Sequence, residues 1–189
     1  MINGFFKLST DFKFDFDIDN MISKIGGDLS DPNESNIHPK VYHSPTGELH
    51  WQRFLPSDIR FARNVYRNLT KECDSIANNL ILLKYHVRRT MINSNSLLDR
   101  FLKHNVNSDR IGIIKQQRGC TVLAHRDSTR SLTLNIGLKN SNTGRTCVGD
   151  QSYVMQDHDV YLLNTSLTHS VESLSTECDR YIISYTVDY

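Results

Sequence analysis

From Asp109 onward the chain is a succession of short strand-forming runs, and this constrains its fold more than any other feature. The runs are RIGIIKQQ (110–117), SLTLNIGL (131–138), SYVMQ (152–156), DVYLL (159–163) and RYIISYTV (180–187). Turn-rich segments separate them, notably Lys139 to Asp150 and Gln156 to Asp159. Short strands at this spacing predict a β-sandwich or barrel rather than a helical bundle.

The first hundred residues have a different texture. In DFKFDFDID (11–19), Phe12, Phe14, Phe16 and Ile18 alternate with charged residues, the period of a half-buried strand. Gly26 to Gly47 is rich in Gly, Asp, Pro, Asn and Ser and reads as a long loop. Pro56-Ser57-Asp58 has the character of a helix start, with Ser57 as cap. Ile59, Ala62, Val65, Tyr66, Leu69, Cys73, Ile76, Ala77 and Leu80 then follow near helical spacing. That stripe predicts a long helix packed on the sheet, and a second short helix is expected over Leu97 to Lys103. The expected architecture is mainly β with flanking helices, a sandwich buttressed by the long helix.

Composition excludes several classes. The 189 residues carry 22 basic and 21 acidic side chains, a net charge of +1, which argues against general affinity for nucleic acid or an anionic membrane. No apolar run approaches the length of a membrane-spanning helix. Residues 1–10 lack the basic-then-apolar profile of a signal peptide. Cys73, Cys120, Cys147 and Cys178 form no CxxC pair, so they are read as reduced thiols of a cytoplasmic protein. Oligomeric state is not legible at this level.

The candidate chemistry starts at one tripeptide. Of eight histidines, only His125 is followed two residues later by a carboxylate, in His125-Arg126-Asp127. In extended backbone residues i and i+2 point to the same side, so both groups can reach one ion. His169 lies 44 residues further on, just past DVYLL, and supplies a third ligand. Two imidazoles and one carboxylate on one face leave coordination positions open, the arrangement used by non-haem iron(II) oxygenases. Taken alone, an HxD is weak: with 21 acidic residues in the chain, about one such spacing among eight histidines is expected by chance. His-Arg-Asp also opens the catalytic loop of protein kinases, but the fifth residue after Asp127 is Leu132 rather than Asn, and no DFG follows. His158, between Asp157 and Asp159, is a rival ligand, and a turn between strands is the simpler account of that run.

Order adds weight to the tripeptide. Eleven residues after His169 comes Arg180, with Ser184 four further on and on the same strand face. A guanidinium fork suits bidentate binding of a dicarboxylate's far end, and a hydroxyl beside it adds a hydrogen bond.

HRD, then His169, then RYIIS resembles the 2-oxoglutarate/iron(II)-dependent dioxygenase superfamily, over about residues 110–187. IIKQQRGCTVLAHRD is similar to the strand-turn-strand that delivers the HxD pair in prolyl-hydroxylase-like members, with Gly119 at the turn. SLTLNIGL followed by YVMQDHDVYLLNTSLTHSV looks like aspartyl/asparaginyl hydroxylase-like and free-proline hydroxylase members. The resemblance implies a double-stranded β-helix, or cupin-like jelly roll, formed by residues 109–189 of a single domain, with residues 1–108 as its strand, loop and helices. It implies Fe(II) held by His125, Asp127 and His169, with 2-oxoglutarate as cosubstrate and dioxygen as oxidant. Arg180, Ser184, Asn135 and Gln116 fall at cosubstrate-contacting positions, and Gln116 stands where many relatives carry Tyr. Asp127 argues against a halogenase, which leaves that ligand position open for halide. The implied reaction is hydroxylation of a small-molecule or peptidyl substrate, an amino acid free or in a peptide, with release of succinate and carbon dioxide.

Two further readings of the residues stay open. One is a catalytically idle jelly-roll module that binds a partner or ligand. The other is a cupin-type isomerase or hydrolase using manganese or zinc without 2-oxoglutarate. Arg130 and Arg145 are candidates for a substrate carboxylate, and equally read as solvated loop arginines. Trp51, His50 and His43 are candidates for the substrate entrance, with packing as the simpler role.

Overall fold

The computed structural model describes residues 4–23, 38–39, 63–66, 70–91, 95–116, 118–119, 121–127 and 131–188. The elements in order are β1 (Phe5–Leu8), α1 (Ile18–Ser23), β2 (His38–Pro39), β3 (Arg63–Tyr66), α2 (Thr70–Thr90), α3 (Ser96–Lys103), β4 (Ile111–Gln116) and β5 (Val122–His125). They continue with β6 (Leu132–Lys139), β7 (Gly144–Val148), β8 (Gln151–Val154), β9 (Val160–Asn164), β10 (His169–Ser173) and β11 (Arg180–Asp188).

Two antiparallel sheets face each other. The large one runs β1-β9-β6-β11-β4-β3-β2, the small one β5-β10-β7-β8. From β4 to β11 the chain passes between the sheets, β4, β6, β9 and β11 to the large one and β5, β7, β8 and β10 to the small one. This winding is the jelly roll, or double-stranded β-helix. The helix layer covers the outer face of the large sheet.

Period-two alternation divides the large sheet's side chains between two cores. Ile111, Ile113, Leu132, Leu134, Ile136, Ile183, Tyr185 and Val187 face the helices and pack with Ile76, Leu80, Leu83, Val87, Leu98 and Phe101. Ile114 and Ile182 face inward, with Val148, Tyr153, Met155, Tyr161 and Leu163. Both faces of β6 are thus covered, and it is buried from Leu132 to Leu138. α2 packs through Cys73, Ile76 and Leu80 of the predicted stripe and extends it through Leu83 and Val87. α3 covers the span expected for it, and the Asn95 side chain caps it by accepting from the backbone N–H groups of Leu97 and Leu98.

Three expectations are corrected. The long helix begins at Thr70, whereas Val65 and Tyr66 lie in β3, opposite Ile114 and Ile113 of β4. Their agreement with helical spacing is coincidental; pairing with the edge of β4 provides backbone partners that override it. The strand expected over residues 11–19 is absent: residues 11–17 form no regular element, and Ile18 and Asp19 open α1. Phe12, Phe14 and Phe16 lie partly buried against the helix-side core, and Asn79 of α2 takes the place of a neighbouring strand. Its Oδ1 accepts from the Asp15 N–H at 2.9 Å and its Nδ2 donates to the Asp15 carbonyl at 3.3 Å. Finally, β7 lies inside the segment read as turn from Lys139 to Asp150.

Pro56 to Ala62, Leu69, His43, His50, Trp51, Cys120, Arg130 and most of the loop over 26–47 lie outside the described residues. Among the described residues Cys147 and Cys178 are free thiols, and the buried Cys73 thiol donates to the Ile111 carbonyl at 3.9 Å. Among the described residues no helix is long and apolar enough to cross a membrane.

Candidate functional site

The small sheet brings the HxD segment to His169. β5 and β10 run antiparallel with His125, the last residue of β5, directly opposite His169, the first of β10. The turn before β5 contains Gly119 at φ +71°, a conformation that favours glycine, and its N–H donates to the Ser175 carbonyl at 2.8 Å. Asp127 lies two residues past His125, and its backbone N–H donates to the Thr165 carbonyl at 3.0 Å.

Asn164 shapes the loop that supplies this carbonyl. Its Oδ1 accepts from the Ser166 hydroxyl at 2.5 Å and the Ser166 N–H at 3.3 Å, and its own carbonyl accepts from the Leu167 N–H at 3.3 Å. This Asx-type turn is local and strong. No expectation singled out Asn164 or Thr165, although an Asn-Thr-Ser run after an apolar strand is a turn signal.

The three side chains converge. Nε2 of His125 lies 4.0 Å from Asp127 Oδ1, and Nε2 of His169 lies 3.7 Å from Asp127 Oδ2. The imidazole centroids are 4.2 Å apart, and one ligand atom from each of the three residues lies within 4.8 Å of the others. Both histidines are buried. His169 Nδ1 is 2.9 Å from the Leu167 carbonyl, which can only accept, so Nδ1 carries a proton and Nε2 is the nitrogen turned toward Asp127. Hydrogen bonding of the remote ring nitrogen is how proteins orient a metal-binding histidine.

A cavity adjoins this cluster between the sheets, with His169 in its wall. It encloses about 480 Å³, mouth included, and is lined by Gln116, Thr133, Asn135, Thr146, Arg180 and Ser184 among others. Period-two alternation explains the set: Gln116 lies two positions from inward Ile114, Arg180 and Ser184 two from inward Ile182, Thr146 two from inward Val148, and Thr133 and Asn135 alternate with the helix-facing Leu132, Leu134 and Ile136. Arg180 stands opposite Gln116 across β4 and β11, and Ser184 opposite Asn135 across β11 and β6.

The Arg180 guanidinium is held rigidly. Its Nε donates to the Ser141 carbonyl and one terminal nitrogen donates to Gln116 Oε1, both at 3.1 Å. Gly144 makes room for it, since a Cβ there would lie 2.9 Å from Arg180 Cδ and 3.1 Å from Cζ. Two polar atoms in the same cavity, Thr133 Oγ1 and Asn135 Oδ1, are buried without a hydrogen-bond partner. Such atoms are costly unless something arrives to satisfy them. Beneath them, burial pushes the Tyr153 phenol far above its ordinary pKa, so it remains protonated. Sequence reasoning missed Thr133, Thr146 and Tyr153; Thr133 was within reach, two residues before Asn135 on the same face.

The remaining candidates are placed elsewhere or not described. His158 sits in the β8–β9 turn at φ +68° with its N–H on the Gly137 carbonyl, outside the His125–Asp127–His169 group. Arg145 is exposed and paired with Glu172 at 3.2 Å, in register across β7 and β10. Arg126, between the two HxD residues, donates from Nε to Thr168 Oγ1 at 2.9 Å, which ties the His125–Asp127 segment to the one that carries His169.

A sequence model of aspartyl/asparaginyl beta-hydroxylase matches residues 33–188. No curated protein matches the chain. Among solved structures, a 2OG-Fe(II) oxygenase family oxidoreductase from Burkholderia pseudomallei is similar over 40% of this chain and 41% of its own, at 16% identity and a TM-score of 0.35. The Cnp3 cupin domain of Schizosaccharomyces pombe is similar over 40% of this chain and 54% of its own, at 16% identity and a TM-score of 0.33. A salicylate 1,2-dioxygenase from Pseudaminobacter salicylatoxidans is similar over 40% of this chain and 20% of its own, at 6% identity and a TM-score of 0.33. The chain thus spans well under two thirds of each of these three, and the jelly-roll assignment rests on the strand order.

Proposed function

The chain belongs to the aspartyl/asparaginyl beta-hydroxylase family, and from that premise we propose that it is an iron(II)- and 2-oxoglutarate-dependent oxygenase that hydroxylates an amino acid, free or within a peptide. The observation that carries this reading is the convergence of His125, Asp127 and His169, with ligand atoms within 4.8 Å of one another beside a cavity that contains a buried arginine.

The residues fit the groups the family implies. Two neutral imidazoles and a carboxylate are the donor set suited to non-haem iron(II), and three ligands on one side leave positions open. His125, Asp127 and His169 would hold the metal. Arg180 and Ser184 would hold the far carboxylate of 2-oxoglutarate, and the partnerless oxygens of Thr133 and Asn135 lie in the same wall. When bound, iron(II) would let dioxygen act as the oxidant, one oxygen atom going to 2-oxoglutarate as it becomes succinate and carbon dioxide and the other converting a substrate C–H to C–OH.

The chain's own part is orientation and exclusion. The Leu167 carbonyl fixes the His169 tautomer. The Thr165 carbonyl anchors the backbone at Asp127. Ser141 and Gln116 preset the Arg180 fork, so its entropy is lost at folding rather than on binding. Ile114, Leu163 and Ile182 line the cavity and keep its dielectric low, which strengthens the guanidinium's hold on a carboxylate.

The test is succinate formation from 2-oxoglutarate with iron(II) and ascorbate, alongside calorimetry of manganese(II) and 2-oxoglutarate. Metal-dependent 2-oxoglutarate binding, with turnover lost in His125→Ala and Arg180→Ala, is the expected result. A protein that binds neither metal nor 2-oxoglutarate overturns the proposal. One that binds manganese or zinc and ignores 2-oxoglutarate belongs with metal-dependent isomerases or hydrolases.

A further inference from the structure

The outer face of α2 carries an apolar stripe that no part of the jelly roll requires. Ile81, Leu82 and Tyr85 are 39%, 57% and 61% exposed. At 3.6 residues per turn, Asp74, Asn78, Ile81, Leu82, Tyr85 and Arg89 fall within an arc of about 100°, opposite the buried Cys73, Ile76, Leu80, Leu83 and Val87. All six are exposed, and among the described residues none of their side chains takes part in a hydrogen bond or ion pair. The flanks of the same helix are occupied. Lys84 donates to the His104 carbonyl, Arg88 to the Leu102 carbonyl, and His86 meets Asp11.

The order of these six residues is self-complementary. Asp74 and Arg89, Asn78 and Tyr85, and Ile81 and Leu82 are placed symmetrically about the point between residues 81 and 82. We propose that this face is a two-fold interface at which α2 of one copy packs antiparallel on α2 of a second copy of this chain. About such an axis Ile81 and Leu82 of both copies cluster at the centre. Asn78 of each faces Tyr85 of the other, and Asp74 of each faces Arg89 of the other at both ends of a contact about 22 Å long. A partner unrelated in sequence would not demand that acid and base lie equidistant from the centre of the stripe. A single helix pair lies at the small end of specific interfaces, so association in the micromolar range or weaker is expected. The inference is independent of the proposed reaction.

Sedimentation equilibrium of the full chain tests it, from low micromolar to several hundred micromolar. The wild type is expected to dimerise reversibly and Leu82→Glu to remain monomeric. Asp74→Arg and Arg89→Asp, each replacing two attractions per dimer with two repulsions, are expected to weaken association by roughly tenfold or more. The double variant Asp74→Arg/Arg89→Asp is expected to recover the wild-type constant to within about threefold, because it exchanges the charges without altering symmetry. Unchanged circular-dichroism melts establish that the variants fold. A wild type monomeric throughout, as it would be if residues 24–62 of its own chain covered the stripe, overturns the proposal. So does a dimer indifferent to Leu82→Glu, or a double variant as weak as the single ones.

Discussion

His125 and His169 stand directly opposite each other across β5 and β10, with their ring centroids 4.2 Å apart, although 44 residues separate them. Strand register alone brings them together, and their ring nitrogens face the same carboxylate.

On the proposed reading, removal of one ring should therefore remove a metal ligand. His125→Ala is expected to weaken manganese(II) affinity by at least about 100-fold, beyond what loss of an outer hydrogen bond does. It should also abolish the rise in melting temperature expected when manganese(II) is added to the wild type. Calorimetry and differential scanning fluorimetry, each with and without metal, check this.

Arg180 should separate the two binding events. Arg180→Ala is expected to leave manganese(II) affinity within about threefold of wild type while 2-oxoglutarate affinity falls by more than about tenfold. Parallel titrations with metal alone and with metal plus 2-oxoglutarate measure the split. Equal loss of both would assign the residue a folding role.

Gly144→Ala should act through Arg180. The added Cβ would lie 2.9 Å from Arg180 Cδ and 3.0 Å from Nε, so the guanidinium must move. The expected cost is about 1–3 kcal/mol of stability, with weaker 2-oxoglutarate binding besides. Urea denaturation and calorimetry on the same preparation check both.

Asn79→Ala tests the attachment of the Phe-rich segment. It removes the bonds to both the N–H and the carbonyl of Asp15 and is expected to destabilise the protein by about 1–3 kcal/mol. Faster hydrogen exchange over residues 11–17, with metal binding unchanged, would distinguish this local detachment from general damage.

The large sheet was more legible in the sequence than the small one, and the reason is physical. β6 and β11 set Leu132, Leu134, Ile136 and Leu138, and Ile183, Tyr185 and Val187, at period two against the helices, so the alternation that marks a strand stands out. β5, β7 and β10 show one face to solvent and use the other to present His125, Thr146 and His169, so the apolar alternation that marks a strand is absent. For this reason β7 read as turn. At the site, the HxD spacing is local and visible. Its meeting with His169 depends on register between strands far apart in the chain, which only the order of motifs foreshadowed. Gln116 drew notice for the tyrosine it replaces. Its bond to Arg180 depends on pairing between β4 and β11 and could not be read from either strand alone.

β11 carries two messages on one ribbon. Ile183, Tyr185 and Val187 form the floor under the helices, while Arg180, Ile182 and Ser184 form the wall of the cavity. Because the two sets alternate residue by residue, insertion or deletion of a single amino acid within the strand would transpose them, turning anchor points outward and grease inward. The segment can thus tolerate exchange of letters but not a change in their number, and any lengthening or shortening of the chain here must fall in the connections on either side of it.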